Sequence, residues 1–336
     1  MESSDIRQVY DFERDVKAAA TRLANYPPLW EGVQWSTGID CLIVVLRHVY
    51  CNGFMSPDLA KEIEWYEQSE AKIPILRHAW HMFGQEAAEV AKATEDREKV
   101  HEVLLSLGIL PFESFKDICD SSLMNETLWS QDICRLSHPP VDPTTGDDIP
   151  LSANEIAELS KLEFEPEVRG ACIQDVVDKA FGHQEWKGRH MFIVPHDPLI
   201  VRVLYQADNK LCDSVSIKPV KTLKLPVWVQ KEGVEYVCLE EVDRIDYFLM
   251  AVGQRAIVQI LFGLIRLTAK TDAPCNYMLF YSYQPEGVGN IDVTDLPEVD
   301  DGREHGGMLD LIDSDLEEAK AKVQAGEVTD PNSRGL

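Results

Sequence analysis

Residues Gly32 to Gly53 read GVQWSTGIDCLIVVLRHVYCNG, and this stretch decides the fold. Thr37, followed three residues later by Asp40, is typical of a capping box at a helix start. From there apolar side chains recur at helical spacing on one broad face, while Cys41 and two valines make the opposite face apolar as well. We therefore predict a helix from about Thr37 that is buried on nearly all sides, with only Asp40 and Arg47 at a polar edge.

The run Trp35-Ser36-Thr37-Gly38-Ile39-Asp40-Cys41 resembles the cysteine box of ubiquitin-specific proteases, particularly divergent fungal-type members in which Asn-Ser-Cys-Ala-x-Asp-Cys opens the central helix. Asp40 and Cys41 keep their places in that pattern, but Thr37 occupies the nucleophile position. In the family, the helix N-terminus lowers the pKa of the nucleophilic thiol. A threonine hydroxyl has no comparable ionised fraction near neutral pH, so the resemblance implies a protease box without its nucleophile.

Helical periodicity continues on both sides of this box. Upstream, residues 1–30 read as an amphipathic helix that two prolines stop, and the pattern from Ser56 to about Cys134 is helical again. A proline-rich loop follows from Ser137 to Leu151, and Ser152 to Leu162 reads as a short acidic helix. Residues 1–165 are thus predicted to form a helical half that corresponds to the thumb of the family.

Residues 166–290 have a different pattern. Ile173 to Phe181 reads as a helix, and the strand-like runs after it are separated by turn residues. These runs are Met191 to Val194, Leu199 to Tyr205, Val227 to Val229, Val234 to Leu239, Tyr247 to Val252, Ile257 to Leu267 and Tyr277 to Tyr283. The second half is therefore predicted to be an antiparallel β region.

The order of motifs in this half is similar to that in the same family. Ubiquitin-specific proteases have a short helix, a Pro-x-x-Leu-x-Val strand, a Tyr-x-Leu-x-Ala-Val strand, a His-aromatic-x-x-x-(Val/Ile)-Arg segment and a Tyr-x-Leu-Phe-Tyr strand. The corresponding segments here are 173–177, 198–203, 247–252, 260–266 and 277–281. The resemblance covers residues 26–284 and implies one domain with a helical thumb and a β palm.

At the position of the family's general base the chain has Ile260 or Leu261, depending on a one-residue choice of register. A protease of this kind needs an imidazole to accept the thiol proton, and neither aliphatic side chain accepts one. Asp272 and Asn276 lie near the expected orienting residue, but without a histidine to orient we interpret them as loop residues. The nucleophile and the base are therefore both missing from their expected positions.

An alternative is that Cys41 is a shifted nucleophile served by His183, His190 or His196 from the β half. Cys41 shares a helix face with apolar residues, where a thiol is buried and its pKa is raised. His48 lies on the same face but about 10.5 Å along the helix axis, too far for a hydrogen bond. We favour a core role for Cys41 and keep the active cysteine peptidase as the rival hypothesis.

The sequence gives little sign of a metal site or another cofactor. Its eight cysteines are scattered singly, as expected for reduced thiols, and no Cys-x-x-Cys pair is present to build the zinc-bound fingers of many ubiquitin-specific proteases. His78 and His81 share a helix face without an acidic or cysteine partner at ligand spacing. The histidines between 183 and 196 could join Cys172, but a solvated hairpin is the simpler interpretation. We predict short fingers without zinc, and no cofactor.

The chain has 336 residues, of which 45% are hydrophobic, and a formal net charge of -26. This composition is typical of a folded protein and disfavours direct nucleic-acid binding, because affinity for phosphates comes from Lys and Arg. A basic protein partner fits better. Without a signal peptide pattern or a membrane-length apolar run, we expect an intracellular protein, nuclear or cytoplasmic, that does not bind membranes.

Residues 291–336 form an acidic tail, with 13 Asp and Glu against 4 Lys and Arg, and we expect most of it to be flexible. Within it, an apolar run followed by acidic residues resembles a SUMO-interacting motif. The residues that would bind the partner are Leu309, Leu311, Ile312, Asp313 and Asp315. The alternative is a short amphipathic helix that docks on this chain or on a partner.

Together these observations predict an α+β, papain-like ubiquitin-specific-protease fold with a helical thumb, an antiparallel β palm and short fingers. The predicted function is a non-catalytic scaffold or adaptor subunit that binds proteins, with ubiquitin and SUMO as candidate partners.

Overall fold

Helices pack against one face of a mixed β-sheet in the computed structural model of this protein. The structure describes residues 5–12, 14–25, 37–51, 64–81, 87–109, 115–165, 172–207, 220–230, 239–254, 257–260 and 275–283. The chain divides between Asn290 and Ile291 into two units, and every described residue belongs to the first. The α+β class predicted from the sequence is confirmed.

Most of the described helices precede the sheet in the chain. The α-helices are α1 (Ile6–Val9), α2 (Val16–Asn25), α3 (Thr37–Val49), α4 (Glu64–Lys72), α5 (Pro74–His78), α6 (Ala87–Ser106), α7 (Phe115–Cys119), α8 (Ser122–Met124), α9 (Ala153–Leu159) and α10 (Ile173–Lys179). Helix α8 runs on into a π-helical turn, Asn125–Trp129, and a 3-10 turn follows at Asp132–Cys134. None of the described helices is both long and apolar enough to cross a bilayer.

The strands form one large sheet and one hairpin. They are β1 (Lys161–Phe164), β2 (Gly182–Trp186), β3 (Arg189–Ile193), β4 (Ile200–Ala207), β5 (Thr222–Gln230), β6 (Leu239–Gln254), β7 (Ile257–Ile260) and β8 (Cys275–Tyr283). The large sheet has the order β1-β4-β8-β6-β5, with β7 also paired to β6, while β2 and β3 form the hairpin. Helix α10 contacts both β1 and β5, so the sheet curls around it.

The sheet departs from the antiparallel prediction at strand β1, which pairs in parallel with β4. The acidic helix was predicted to run to Leu162, but it ends at Leu159, and Lys161 and Leu162 belong to the strand. A capping box of Ser152 and Glu155 fixes its start as expected. Lys161 then pairs with Arg202, a contact between residues far apart in sequence that no local pattern reveals.

Strand β4 shows how the sheet separates two cores. Ile200 and Leu204 point to the helices, whereas Val201, Val203 and Tyr205 point to the hairpin and α10. This alternation is the period-two pattern of a strand that is buried on both faces.

Two further boundaries differ from the sequence prediction. The single N-terminal amphipathic helix is two helices, because the chain turns between Tyr10 and Asp15, where Asp11 accepts backbone hydrogen bonds from Arg14 and Asp15. Strand β6 is longer than the predicted strand at Tyr247 to Val252, because it continues along β5 beyond the point where β8 ends.

Candidate functional site

The helix that carries the degenerate cysteine box is α3, and it begins at Thr37 as predicted. Its apolar residues are buried around most of the circumference, as expected from a sequence that is apolar on both faces. The fully buried ones are Ile39, Leu42, Ile43, Val45, Leu46 and Val49. Helix α3 is thus a central core helix of the helical half.

The polar edge of α3 is an internal contact rather than a solvent-facing one. Asp40 accepts a hydrogen bond of 2.6 Å from Nη2 of Arg97 on α6, and the Arg97 side chain is only 2% exposed. Arg47 was predicted to mark the same edge, but it is buried and donates from Nε to the carbonyl oxygen of Leu23, 2.8 Å away. Burial lowers the pKa of Arg47 to about 10, so this guanidinium stays charged inside the helical half.

The elements that the resemblance assigns to nucleophile and base are neighbours in the fold. Helix α3, which starts at Thr37, packs against β7 and β6. Strand β7 ends at Ile260, which is paired with Ala251 of β6. Leu261, the other candidate for the base position, lies outside the described residues. The resemblance thus maps its two reactive positions onto a helix and a strand that are in contact.

Cys41, the rival nucleophile, is 7% exposed and belongs to the core of the helical half. The described contacts of the histidines that the rival hypothesis requires include residues of the β half and the backbone of Arg135, but not Cys41. His183 packs on Phe192 with ring centroids 4.9 Å apart, and His196 places Nδ1 3.0 Å from the carbonyl oxygen of Arg135. His190 is exposed on β3.

In the helical half His48 and His78 are buried and His81 and His101 are half-buried, which agrees with a structural interpretation. His78 is 3% exposed, and the centroids of the His78 and His81 rings lie 5.4 Å apart. Burial lowers the pKa of His78 to about 3 and that of His101 to about 4, so both are neutral near pH 7. Within the described ranges, no three His, Cys, Asp or Glu side chains converge to hold a metal ion.

The predicted solvated hairpin is the β2–β3 pair. His183 and His190 lie on its exposed positions, while its basic tip docks on α9 through the ion pairs Lys187–Glu158 and Arg189–Glu155. Lys187 has a φ of 48° and Gly188 a φ of 74°, the left-handed pair that a tight two-residue hairpin turn requires.

A cavity of about 190 Å³ lies beside the proline-rich loop, and it was not predicted from the sequence. Its wall is mostly apolar, with Arg135, His138 and Asp148 as its charged or titratable members. The apolar lining residues are Pro139, Pro140, Ile149, Pro150, Leu151, Ile156 and Leu159. The run of prolines was the only sequence signal, and it indicated a loop rather than a concave surface.

The remaining predicted residues are placed as follows. Asn276, interpreted as a loop residue, instead lies in β8 opposite Gln206, because the strand starts at Cys275. Asp272 lies outside the described residues. The same holds for the tail positions Leu309, Leu311, Ile312, Asp313 and Asp315.

No protein-family model and no curated protein matches this sequence. Among solved structures, the chain is weakly similar to the SAGA Ubp8/Sgf11/Sus1/Sgf73 DUB module, with a TM-score of 0.31 and 9% identity over 79% of this chain and 69% of the other. It is also weakly similar to the Saccharomyces cerevisiae PAN2 pseudoubiquitin-hydrolase-RNase module, with a TM-score of 0.26 and 9% identity over 84% of this chain and 51% of the other.

Proposed function

We propose that this protein is a non-catalytic, ubiquitin-specific-protease-like scaffold or adaptor that works by binding other proteins. The observation that carries the proposal is the contact between α3, which starts at Thr37, and β7, which ends at Ile260. A thiol peptidase needs a thiolate and an imidazole on two such neighbouring elements. Thr37 and the aliphatic residue at the base position, Ile260 or Leu261, supply neither group.

The burial of Cys41 supports the same proposal. A thiol that is 7% exposed in an apolar core reacts slowly, because the charged thiolate is disfavoured there. Cys41 also lies one helical turn after Thr37, inside the helix, where the first-turn N–H groups and the positive end of the dipole no longer stabilise a thiolate.

The partner is proposed to be a protein with a basic surface. The formal net charge of -26 attracts such a surface at long range and disfavours direct contact with nucleic acid. Ubiquitin or SUMO is the proposed modifier partner, with the tail residues Leu309, Leu311 and Ile312 as the apolar part of a SUMO-binding strand and Asp313 and Asp315 as its acidic part.

The test uses ubiquitin with a thiol-reactive group at its C-terminus. The purified chain should form no covalent adduct, whereas an active ubiquitin-specific protease labelled in parallel should react completely. An adduct that Cys41→Ala abolishes would establish the rival peptidase and sink the proposal. Cys172→Ser is the matched control, because Cys172 is an exposed cysteine that could be labelled without any active site.

Binding is measured separately from chemistry. Unmodified ubiquitin and SUMO are titrated against the wild-type chain and against Leu311→Ala/Ile312→Ala. SUMO binding that the double variant removes would support the tail motif. SUMO binding that persists in the double variant would mean that SUMO binds at a different site.

A further inference from the structure

Strand β6 extends past its neighbour on one side. It pairs with β5 from Leu239 to Phe248, but its pairing with β8 begins only at Tyr247. Among the described residues, the segment 239–246 therefore has a strand neighbour on one side alone. Within the described ranges its other side is a sheet edge, and a sheet edge is a template for another extended chain.

The opposite edge of this ribbon is capped at Lys224 by a side chain. The Gln174 amide of α10 donates to the carbonyl oxygen of Lys224 at 2.8 Å and accepts from the Lys224 N–H at 2.9 Å. In this way the amide occupies both backbone groups of Lys224 as a neighbouring strand would. At Lys224 an added strand would therefore have to displace two hydrogen bonds from the edge of β5, whereas at Arg244 of β6 it would have to displace one, from the N–H to Asp243.

The hydrogen bonds of Gln174 also show which backbone groups of β6 face the edge. Lys224 points its N–H and C=O away from β6, and residues directly opposite in an antiparallel pair share the same orientation. Asp246, the partner of Lys224, therefore points its N–H and C=O away from β5. By alternation Arg244 does the same, and its N–H indeed bonds to Oδ1 of Asp243, 2.8 Å away, rather than to β5.

The charge along this edge selects the occupant. The segment Leu239-Glu-Glu-Val-Asp-Arg-Ile-Asp246 has four acidic residues and one arginine. Arg244 is paired with Glu241 and Asp178, each at 2.7 Å, and Lys224 of β5 is paired with Asp246 at 3.0 Å. The residues of the segment still carry a formal net charge of -3, four acids against one arginine. Opposite charges on facing strands stabilise a pair, and like charges destabilise it. A strand rich in Lys or Arg is favoured.

An apolar side chain also marks the edge. Val242 is 54% exposed and lies at a β-bulge, since Val227 pairs with Asp243 while Trp228 pairs with Glu241. It offers an apolar contact between acidic neighbours. A segment that alternates basic and apolar residues matches this surface.

Two other candidate ligands for this edge, a second copy of this chain and the residues that follow β8, fit it less well. A second copy of this chain would place the same acidic segment against itself. The residues that follow β8 read Gln284-Pro-Glu-Gly-Val-Gly-Asn290, and the proline lacks an N–H while the two glycines are poor strand formers.

We infer that the edge of β6 from Leu239 to Asp246 binds an extended, basic segment of a partner protein by β-strand addition. This surface deepens the proposed binding function by naming a binding surface and its ligand class. It does not depend on the absence of peptidase activity, because no residue of α3 or β7 takes part.

The probe is a fluorescent peptide of about ten residues that alternates lysine and valine, near the upper length of an ordinary strand. The same peptide with glutamate in place of lysine is the negative ligand. The edge variant is Glu240→Gln/Asp243→Asn. Its matched control, Glu163→Gln/Glu165→Gln, changes net charge equally at exposed positions in or next to β1.

We expect the lysine peptide to bind and the glutamate peptide not to bind, with affinity about three- to tenfold weaker in the edge variant and unchanged in the control. Amide hydrogen exchange at Arg244 and Asp246, followed by NMR, should slow when the peptide is added. Failure of the lysine peptide to bind would overturn the inference. Equal weakening in both variants, or binding without slower exchange, would show general electrostatic adhesion and also overturn it.

Slow exchange of both amides in the protein alone would mean that the edge is already occupied, which contradicts the inference. The ubiquitin labelling experiment gives an independent result, so either proposal can fail while the other stands.

Discussion

The guanidinium of Arg202 lies 4.5 Å from the centre of the Trp129 ring, at the contact between the helical half and the sheet. Arg202 is 1% exposed and lies on the helix-facing side of β4, between Ile200 and Leu204. It donates to the carbonyl oxygen of Ala157 at 2.8 Å, and a 3.7 Å ion pair joins it to Asp120. A buried charge therefore fixes how the two halves of the fold meet.

Asp120→Asn should destabilise the protein by about 3 kcal/mol, because removing one partner of a buried ion pair leaves the other charge uncompensated. The loss also affects Lys161, whose Nζ lies 2.9 Å from Asp120. Adding Arg202→Met should recover part of the loss, since the apolar side chain removes that charge. Urea unfolding of the two single variants and the double variant measures the coupling. Strictly additive losses would contradict this account.

Stability should fall as pH drops from about 6.5 towards 4, because His48, His78 and His101 are held neutral. Burial, the largest cause, lowers the pKa from 6.5 to about 4 in His48, about 3 in His78 and about 4 in His101. The unfolded chain takes up these protons below pH 6.5 while the folded chain does not, so the stabilisation is complete above pH 6.5 and is lost as pH falls through the folded pKa values.

Each histidine contributes a slope of up to about 1.4 kcal/mol per pH unit in that window, with less from the partly exposed His101. Urea unfolding at about pH 7.5 and about pH 5 measures the difference. His78→Gln should reduce the difference, whereas the exposed His183→Gln should not. An unchanged pH dependence in His78→Gln would argue against the burial of a neutral imidazole there.

Gln174→Ala should expose the edge of β5 at Lys224 at a cost of about 1 kcal/mol, because two hydrogen bonds near solvent are lost. The amide of Lys224 should exchange faster with solvent. Gln184→Ala is the control, since its amide donates to the carbonyl oxygens of Lys179 and Phe181 without closing a strand edge. Equal exchange rates at Lys224 in all three proteins would refute the capping role of Gln174.

Cys172 should react with a thiol reagent well before the buried cysteines of the described structure. Cys172 is exposed, whereas burial raises the pKa of Cys119 and Cys134 to about 12 and Cys41 is 7% exposed. Alkylation of Cys41 should be at least about a hundredfold slower than that of Cys172, because it needs a local opening of the core. Peptide mass mapping over time measures the rates. Equal rates at Cys41 and Cys172 would revive the rival nucleophile.

The local pattern was enough to predict several elements. Helix α3 starts at Thr37, where the run of apolar side chains at helical spacing predicted it, and Ser152 starts α9 through its capping box. The β2–β3 hairpin and the loop before α9 were also predicted, since turn residues and prolines act on the backbone next to them. Such signals are local, so no tertiary contact is needed to read them.

Other features depended on partners far away in the chain. The acidic helix was predicted to include Lys161 and Leu162, but parallel pairing with β4 makes Lys161 to Phe164 a strand. Arg47 was predicted to lie at a polar edge of its helix, but it is buried and donates to the carbonyl oxygen of Leu23. The edge of β6 depends on where the pairing with β8 begins, at Tyr247, and no local sequence pattern indicates that point.

The sequence by itself determined where the central helix starts. It also determined that a threonine and an aliphatic residue, Ile260 or Leu261, stand at the two reactive positions of the resemblance, because side-chain chemistry belongs to the residue. Tertiary structure alone decided that α3 and β7 touch and that Arg202 is buried against Trp129. It also decided that, among the described strands, the segment 239–246 of β6 is paired on one side only. These outcomes depend on long-range hydrogen bonds and on burial, and a chain acquires both only when distant segments meet.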